Sequence, residues 1–406
     1  MQCLNNLKQT TLALHSFHDV HNRFPAASFD PLATQLRIRR CGMFPLLLPY
    51  MEQQPLYASM MVQGRYDIPA NVTDGRWEEA ILVRPQGSVA LTTFRCPSDA
   101  SGRGNFTNQQ QRDGTYLSFS NYRACRADLV GEDTNDYLGL PGEVFVVERK
   151  FPCPCGTGDI TSTSRTPLQQ WNMPRSWART HAFVGNFQTV TSGLTNTIAL
   201  SEGLIGADHG NRTYRDTIAW GTHADYHELA QFGRTPEDCL NLKGSMGQFR
   251  SPTQATWPDR NHWLGRRIWD NTPGAYAFYT ILPPNSPSCS RTQTNGLISA
   301  TSHHRGGVNV SFLDGSVRFI SNTIGTSLGT IGGEMRTGTV HSYTYIPTDC
   351  DGNPIPPGEP VTIEWTTYSE ITTTPDFPAD VNGNRFSYGI WAELGAINSR
   401  EVIPSL

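Results

Sequence analysis

Two short segments near residue 310 constrain the fold more than any other part of the chain. Apolar and polar residues alternate in 308–313 (VNVSFL) and again in 316–321 (SVRFIS), and only Asp314-Gly315 separates them. An Asp-Gly pair between such segments predicts a β-hairpin with a two-residue type I′ turn, which needs positive φ at both central residues. The implied register pairs Leu313 with Ser316 and Val310 with Phe319. One face of the hairpin then carries Val308, Val310, Phe312, Val317 and Phe319.

A histidine, His304, precedes this hairpin and forms the pattern H-x9-DG with Asp314 and Gly315. Along an extended strand that rises ~3.3 Å per residue, His304 and Asp314 would lie roughly 30 Å apart. We therefore predict that these two side chains do not form a catalytic dyad. Our interpretation of the motif is structural: Asp314 and Gly315 form the turn, and His304 anchors the entry to the strand.

The composition bears on the partners and the location of the protein. The 406-residue chain has 32 basic and 36 acidic residues, and its net charge of −4 argues against nucleic acid as a partner. Charged residues make up only 17%, and the 37 glycines and 28 prolines indicate a loop-rich, β-rich protein. Such a composition is frequent outside the cytoplasm. The longest apolar run, 43–51, is too short to span a membrane.

The nine cysteines support an extracytoplasmic location, because disulfides persist in oxidising compartments. No two of them form a C-x-x-C pair, which argues against a zinc ribbon. We expect up to four disulfides and at least one remaining thiol. The pairs that we favour are Cys239–Cys289 and Cys96–Cys125. A cytosolic protein with buried, reduced cysteines is the alternative.

An amphipathic helix is predicted over residues 1–20. One stripe consists of Leu4, Leu7, Thr11, Leu14 and His18, and Cys3, Ala13, Phe17 and Val20 widen it. Phe24-Pro25 ends the helix. The helix begins without a convincing cap, so we expect a basic leader and an apolar segment upstream of it. A second helix, interrupted by proline, is predicted over Leu46 to Met60.

The rest of the chain indicates a β-rich head with an insertion. From about residue 80, short apolar runs alternate with turn signals, which predicts antiparallel strands and long loops. Residues 325–383 are rich in Thr and Pro and contain a strand pattern at Val361, Ile363 and Trp365. The predicted organisation is a helix at 1–24, an α+β head at 25–324, a small β insertion at 325–383 and a return to the head at 384–406.

Several residue groups could bind a metal, but each has a simpler interpretation. His223 and His227 are spaced for one face of a helix, and a polar surface explains them equally well. Two segments have alternating oxygen ligands like those of calcium loops: Asp349, Asp351 and Asn353, then Asp380, Asn382 and Asn384. Neither segment has the glutamate that completes an EF-hand, so hairpin turns are the favoured interpretation and calcium the alternative. His303, His304, His209 and Glu202 could also cluster in space, although no spacing requires it.

The sequence contains no complete catalytic signature among those that we sought. The patterns H-E-x-x-H and G-x-x-x-x-G-K-[ST] do not occur, and G-x-S-x-G occurs once, at 325–329 (GTSLG), without the helix pattern that follows a nucleophile elbow. We therefore predict that the protein is not an enzyme and that it needs no cofactor.

Seven stretches resemble, in order, those of one large bacterial family that is abundant in planctomycetes. They are 1–25, 47–57 (LLPYMEQQPLY), 94–99 (FRCPSD), 191–203 (TSGLTNTIALSEG), 282–289 (LPPNSPSC), the H-x9-DG motif at 304–315, and 389–402. Members of this family carry a prepilin-type cleavage and methylation segment at the N-terminus and the H-x9-DG motif near the C-terminus. The family has no established function.

This resemblance implies a pilin-like α+β fold, in which a long N-terminal helix packs on an antiparallel sheet. It implies a non-enzymatic, exported pilin- or pseudopilin-like subunit of a surface structure or filament. Such a subunit would associate with copies of itself or with similar subunits through the helix, and with the membrane through an upstream segment. Calcium occurs in related pseudopilin architectures. The alternative is a helix-anchored, extracytoplasmic module that binds a solute or glycan through tryptophan-rich loops such as 175–180 and 260–270.

Overall fold

The structure is a computed structural model, and it describes most of the α+β core of the chain. The described residues are 2–25, 28–29, 41–62, 65–66, 89, 91–100, 119–126, 145, 147–148, 185–206, 213–220, 236–250, 264–265, 269, 273–290 and 296–326. Backbone elements at 334–345, 361–372, 386–387 and 390–395 complete this set.

Helices and strands alternate irregularly along the chain. The α-helices are α1 Gln2–His21, α2 Phe44–Leu47, α3 Gln54–Met60, α4 Pro236–Leu240, α5 Pro273–Tyr276 and α6 Ile390–Gly395. The strands are β1 Ser28–Phe29, β2 Cys41–Gly42, β3 Met61–Val62, β4 Arg65–Tyr66, β5 Tyr122–Cys125, β6 Val147–Glu148, β7 Ile198–Glu202, β8 Ile218–Trp220, β9 Ala277–Phe278, β10 Ser288–Ser290, β11 Gly296–Leu297, β12 Gly307–Phe312, β13 Val317–Ser321, β14 Glu334–Tyr345, β15 Val361–Thr372 and β16 Phe386–Ser387.

The predicted N-terminal helix is confirmed as α1. Its buried side is formed by Cys3, Leu7, Thr10, Thr11, Ala13, Leu14 and Phe17. The two buried threonine hydroxyls donate to the carbonyls one turn earlier, so their burial leaves no unpaired donor. Two members of the predicted stripe, Leu4 and Val20, are exposed instead. The helix ends at His21, because Asn22 adopts the left-handed conformation (φ 53°) that terminates many helices.

A five-stranded sheet forms the centre of the fold, with the order β13-β12-β7-β5-β9. Its pairs are antiparallel except β5–β9, which is parallel. Parallel pairs also join β8 to β10 and β1 to β6 in two smaller sheets. The sheets predicted to be antiparallel are therefore mixed, with mainly antiparallel pairs in the central sheet. The α+β class is confirmed.

The central sheet is covered on both faces. On one face, α1 packs against side chains that include Tyr122, Ala124 and Leu313. On the other, Trp391 and Leu394 of α6 join Val308, Val310 and Phe312 of β12 in a second apolar cluster. Burial on both faces explains why every residue of β12 is buried. A third apolar cluster surrounds the sheet β11-β10-β8.

The hairpin at 307–321 forms, but its predicted register is wrong by one residue. Val310 pairs with Arg318 rather than Phe319, and Phe312 exchanges backbone hydrogen bonds across the turn with Ser316 and Gly315. The loop thus has three residues, with Gly315 alone at positive φ (82°), as in a type I turn followed by a bulge. Val317 and Phe319 therefore lie on the opposite face from Val308. The guanidinium of Arg318 lies 4.4 Å from the centre of the Phe312 ring.

The remaining elements bear on the other fold predictions. The interrupted second helix is present as α2, a 3₁₀ turn at Leu48–Met51 and α3. The strand pattern at Val361, Ile363 and Trp365 is part of β15, which pairs with β14 in a long hairpin inside 325–383. The boundaries of the four predicted parts remain predictions. Among the described helices, none has the length and apolar character required to cross a bilayer.

Candidate functional site

The candidate site is a buried polar cluster where β5, β7, β12 and the first turn of α1 meet. Its centre is Glu202, the last residue of β7, which is only 2% exposed. Strand pairing places Glu202 opposite Tyr122 of β5 and beside Asn309 of β12. Because these side chains share the face covered by α1, the carboxylate lies under the start of the helix.

The Glu202 carboxylate accepts three hydrogen bonds. One oxygen, Oε2, accepts from the backbone N–H of Asn309 at 2.8 Å. The other, Oε1, accepts from the Asn309 side-chain amide at 3.0 Å and lies 3.1 Å from Nε2 of His304. The His304 side chain is 29% exposed, so it connects the buried carboxylate to the solvent. The backbone N–H of His304 donates to the Ser302 hydroxyl at 3.0 Å, which fixes the approach of the ring.

A second carboxylate, Asp99, lies beside the first. Its Oδ2 accepts from the Asn121 amide at 2.6 Å and from the backbone N–H of Ile205 at 3.0 Å. Its Oδ1 is 3.7 Å from Nε2 of His303, whose side chain is 39% exposed. Each of two consecutive histidines therefore faces one buried carboxylate.

A disulfide between Cys3 and Cys96 borders this cluster. Cys3 lies in the first turn of α1, and its carbonyl accepts from the Tyr122 hydroxyl at 2.8 Å. The backbone N–H of Cys96 donates to the Asn121 side chain at 2.9 Å. The Sγ of Cys96 is 4.0 Å from Oε1 of Glu202. The bond ties the start of α1 to the strands that carry the cluster.

The disulfide predictions are half confirmed. Cys239 and Cys289 are bonded, as expected. The predicted Cys96–Cys125 bond is wrong, because Cys96 bonds Cys3. Cys125 is buried in the apolar cluster below α6, on the opposite face of the sheet, and its Sγ is 3.9 Å from the Gly395 carbonyl.

A buried arginine lies close enough to Asp99 for the two charges to interact. Arg123 of β5 is completely buried, and its Nη2 donates to the carbonyl of Leu204. Its Nε and Nη1 have no hydrogen-bond partner among the described residues. Burial lowers the pKa of the guanidinium to about 9, and the charge of Asp99 opposes that shift. A larger residue at Gly203 would force the Arg123 side chain to move, because a Cβ there would lie 2.5 Å from it.

The four residues Cys3, Cys96, Glu202 and His304 are close enough to bind one metal ion. Their candidate ligand atoms all lie within 4.8 Å of one another. The two sulfurs are bonded to each other here, which uses their capacity to bind metal.

One known protein family matches most of the chain. A family described as "Protein of unknown function (DUF1559)" matches residues 1–327. The chain belongs to this DUF1559 family. No curated protein and no solved structure matches the chain. The matched range includes every residue of the buried cluster and the whole H-x9-DG motif of this DUF1559 chain.

The structure separates the parts of that motif. His304 joins the buried cluster at the entry to β12, whereas Asp314 and Gly315 form the turn at its far end. The Asp314 carboxylate accepts from the backbone N–H of Ser316 at 2.8 Å, and its backbone N–H donates to the Leu194 carbonyl at 3.1 Å. That His304, Asp314 and Gly315 have purely structural roles remains a prediction, and these contacts are compatible with it.

Other candidate residues fall outside the described part of the chain. These are His209, His223 and His227, and the calcium candidates Asp349, Asp351, Asn353, Asp380, Asn382 and Asn384. Conversely, sequence reasoning did not single out Asp99, Asn121, Asn309 or the partner of Cys96. The sequence did contain a signal for this cluster, because its residues come from four of the seven stretches that carry the family resemblance. Cys3 lies in 1–25, Cys96 and Asp99 in 94–99, Glu202 in 191–203 and His304 in 304–315.

Proposed function

We propose that this DUF1559 protein is a non-enzymatic, exported, pilin- or pseudopilin-like subunit that assembles through α1. The observation that carries the proposal is the outer side of α1, which is exposed along its length and contains apolar side chains. Leu4, Leu12 and Val20 are 37%, 44% and 64% exposed. At about 100° per residue, Leu12 lies at the centre of the exposed arc and the other two lie at its edges.

The charges on α1 are compatible with helix-to-helix packing. Lys8 and Asp19 are the only lysine, arginine, aspartate or glutamate residues of the helix. They have opposite signs and both are exposed, so neighbouring copies can pair them. The other side of α1 contributes to the core, which lets the helix serve the fold and an assembly at the same time.

The disulfides support an exported subunit. Cys3–Cys96 and Cys239–Cys289 are bonds of a kind that persists in oxidising compartments. The first of them connects the start of α1 covalently to the head. A pulling force on the helix would therefore be transmitted to the sheet even if the packing of α1 loosened.

The buried cluster supports a structural rather than a catalytic role. Glu202 and Asp99 use their oxygens to bind backbone N–H groups and buried amides of neighbouring segments. Such contacts fix the relative positions of strands and loops. The competing hypothesis of a solute- or glycan-binding module rests on loops that lie mostly outside the described residues.

The test compares two glutamate substitutions on exposed helical positions. Leu12→Glu places a charge at the centre of the outer side of α1, and Ala58→Glu places the same charge on exposed α3. The full gene product would be extracted from its native envelope, sized by sedimentation and imaged by electron microscopy. We expect assemblies for the parent and for Ala58→Glu, and dissociation for Leu12→Glu with an unchanged circular dichroism spectrum. A monomeric parent that binds a solute or glycan saturably would overturn the proposal.

A further inference from the structure

We propose that reduction of the Cys3–Cys96 disulfide creates a binding site for one thiophilic divalent cation, of which Zn²⁺ is the best fit. The ligands would be Cys3, Cys96, Glu202 and His304. Disulfide formation and metal binding would exclude each other, so the redox state of this pair decides whether the site exists. The inference rests on the described cluster alone and does not depend on assembly through α1.

The ligand types fit zinc. Zinc in proteins is bound by cysteine thiolates, histidine nitrogens and carboxylate oxygens, usually four of them in a tetrahedron. Two thiolates, one imidazole and one carboxylate would give a net charge of −1 around Zn²⁺. Soft sulfur ligands also select against Mg²⁺ and Ca²⁺, which prefer oxygen ligands alone.

The distances fit as well. Zinc-to-ligand bonds of about 2.0–2.3 Å place the ligand atoms of a tetrahedral site about 3.3–3.8 Å apart. Here Nε2 of His304 is 3.1 Å from Oε1 of Glu202, and Sγ of Cys96 is 4.0 Å from the same oxygen. All four ligand atoms lie within 4.8 Å of one another. The main change needed is separation of the two sulfurs, which reduction permits.

The surroundings would hold the ligands in place. Asn309 donates to both oxygens of Glu202, which keeps the carboxylate oriented toward the sulfurs. Ser302 fixes the backbone of His304, and Tyr122 fixes the carbonyl of Cys3. Such outer contacts orient metal ligands and strengthen binding. His304 is also the partly exposed ligand, so the metal has a route from the solvent.

The chemistry balances with a dithiol as reductant and a disulfide as oxidant. A dithiol gives two electrons and two protons to Cys3–Cys96, which becomes two thiols while the donor becomes a disulfide. Zn²⁺ then displaces the two thiol protons and binds the thiolates, and the proton on Nε2 of His304 moves to Nδ1 so that Nε2 can bind the metal. The oxidation state of zinc does not change. A disulfide oxidant later removes two electrons from the thiolates, the Cys3–Cys96 bond re-forms, and Zn²⁺ leaves.

The consequence concerns the attachment of α1. In the oxidised protein a covalent bond joins the first turn of the helix to the head. In the reduced protein, a metal bound by Cys3 and Cys96 would make the same connection. The start of α1 would then stay attached in either redox state, provided that Zn²⁺ is present under reducing conditions.

The experiment uses the full chain, reduced with a phosphine and then titrated with Co²⁺ or Zn²⁺ under argon. Co²⁺ in a tetrahedral site with thiolate ligands gives near-ultraviolet charge-transfer bands and intense visible bands. We expect these bands in the reduced parent and not in the oxidised protein. Because other cysteines are reduced too, the variants decide which residues bind the metal.

Cys3→Ser, Cys96→Ser and His304→Ala should each lose the visible bands, and each should retain about one equivalent less Zn²⁺ than the reduced parent. His303→Ala is the matched control, because His303 is adjacent to His304 and faces Asp99 instead. It should bind metal like the parent. Circular dichroism of each oxidised variant verifies folding. Equal metal content in the parent, Cys3→Ser and His304→Ala would overturn the proposal, since other thiols would then hold the metal.

Discussion

Removal of the Glu202 side chain should destabilise the protein much more than removal of its histidine partner. In Glu202→Ala, the backbone N–H of Asn309 loses its acceptor at a site that is only 8% exposed. A buried donor without a partner costs about 1–3 kcal/mol. The hydrogen bond from the Asn309 side chain, at 3.0 Å, contributes about 1 kcal/mol more. The expected loss of unfolding free energy is therefore about 2–4 kcal/mol.

His304→Ala removes only one of the three hydrogen bonds to Glu202. The lost imidazole was 29% exposed, so water can take its place beside Oε1 of the carboxylate. We expect a loss of about 0.5–1.5 kcal/mol. His303→Ala, whose ring is 39% exposed and 3.7 Å from Asp99, should change the unfolding free energy by less than about 0.5 kcal/mol.

The assay is urea unfolding at neutral pH, with the disulfides intact and a chelator present so that no metal contributes. Midpoints multiplied by a common slope give the differences in unfolding free energy. The expected order of destabilisation is Glu202→Ala, then His304→Ala, then His303→Ala. If His304→Ala costs as much as Glu202→Ala, the histidine and not the carboxylate is the main support of the cluster, and the reasoning is wrong.

Three further predictions concern the turn, the disulfides and a buried carboxyl group. Gly315→Val should lower the unfolding free energy by about 1–3 kcal/mol, because a β-branched residue resists φ 82° even though its Cβ would only contact Nε2 of His15 at 3.9 Å. Asp314→Asn should be silent in the same urea assay, since the amide oxygen can replace the carboxylate. Cys3→Ser and Cys239→Ser should each lower the unfolding free energy by about 2–4 kcal/mol. The loss should be about half a kcal/mol larger for Cys3→Ser, because its disulfide closes a loop of 93 rather than 50 residues. A melting temperature equal to that of the parent in either variant would contradict this prediction. Burial raises the pKa of Asp216 above 3.8, so its ionisation destabilises the fold as pH rises through and above that value. The unfolding free energy of Asp216→Asn should therefore increase relative to that of the parent from acid to neutral pH, and a difference that decreases with rising pH would refute this direction.

Local patterns predicted the elements of this fold better than their exact partners. The period of α1 identified the helix, but it could not show that the sheet would leave Leu4 and Val20 at the exposed edges. Asp-Gly located the hairpin, but the same pair suits a two-residue loop and a three-residue loop with glycine alone at positive φ. The choice between them depends on how β12 fits between β7 and β13, which no local pattern records.

The buried cluster could not be predicted from spacing. Glu202 and Asn309 are 107 residues apart and meet through the pairing of β7 with β12, whereas Asn121 and Asp99 are 22 apart and meet where two loops pack together. Single polar residues within apolar strands resemble ordinary surface positions in a sequence. The choice of Cys125 as the partner of Cys96 failed for a related reason. Cys125 points to the face covered by α6, whereas Cys96 lies below the start of α1.

The most direct test of assembly through α1 is photo-crosslinking in cells that produce the protein. A photoreactive amino acid would be placed at position 12, on the outer side of α1, and separately at position 58 on α3. Illumination followed by gel electrophoresis and mass spectrometry identifies the captured partner. We predict that position 12 captures another copy of this chain or a similar helical subunit, and that position 58 does not. The absence of any protein adduct at position 12, or equal capture at both positions, would contradict the account.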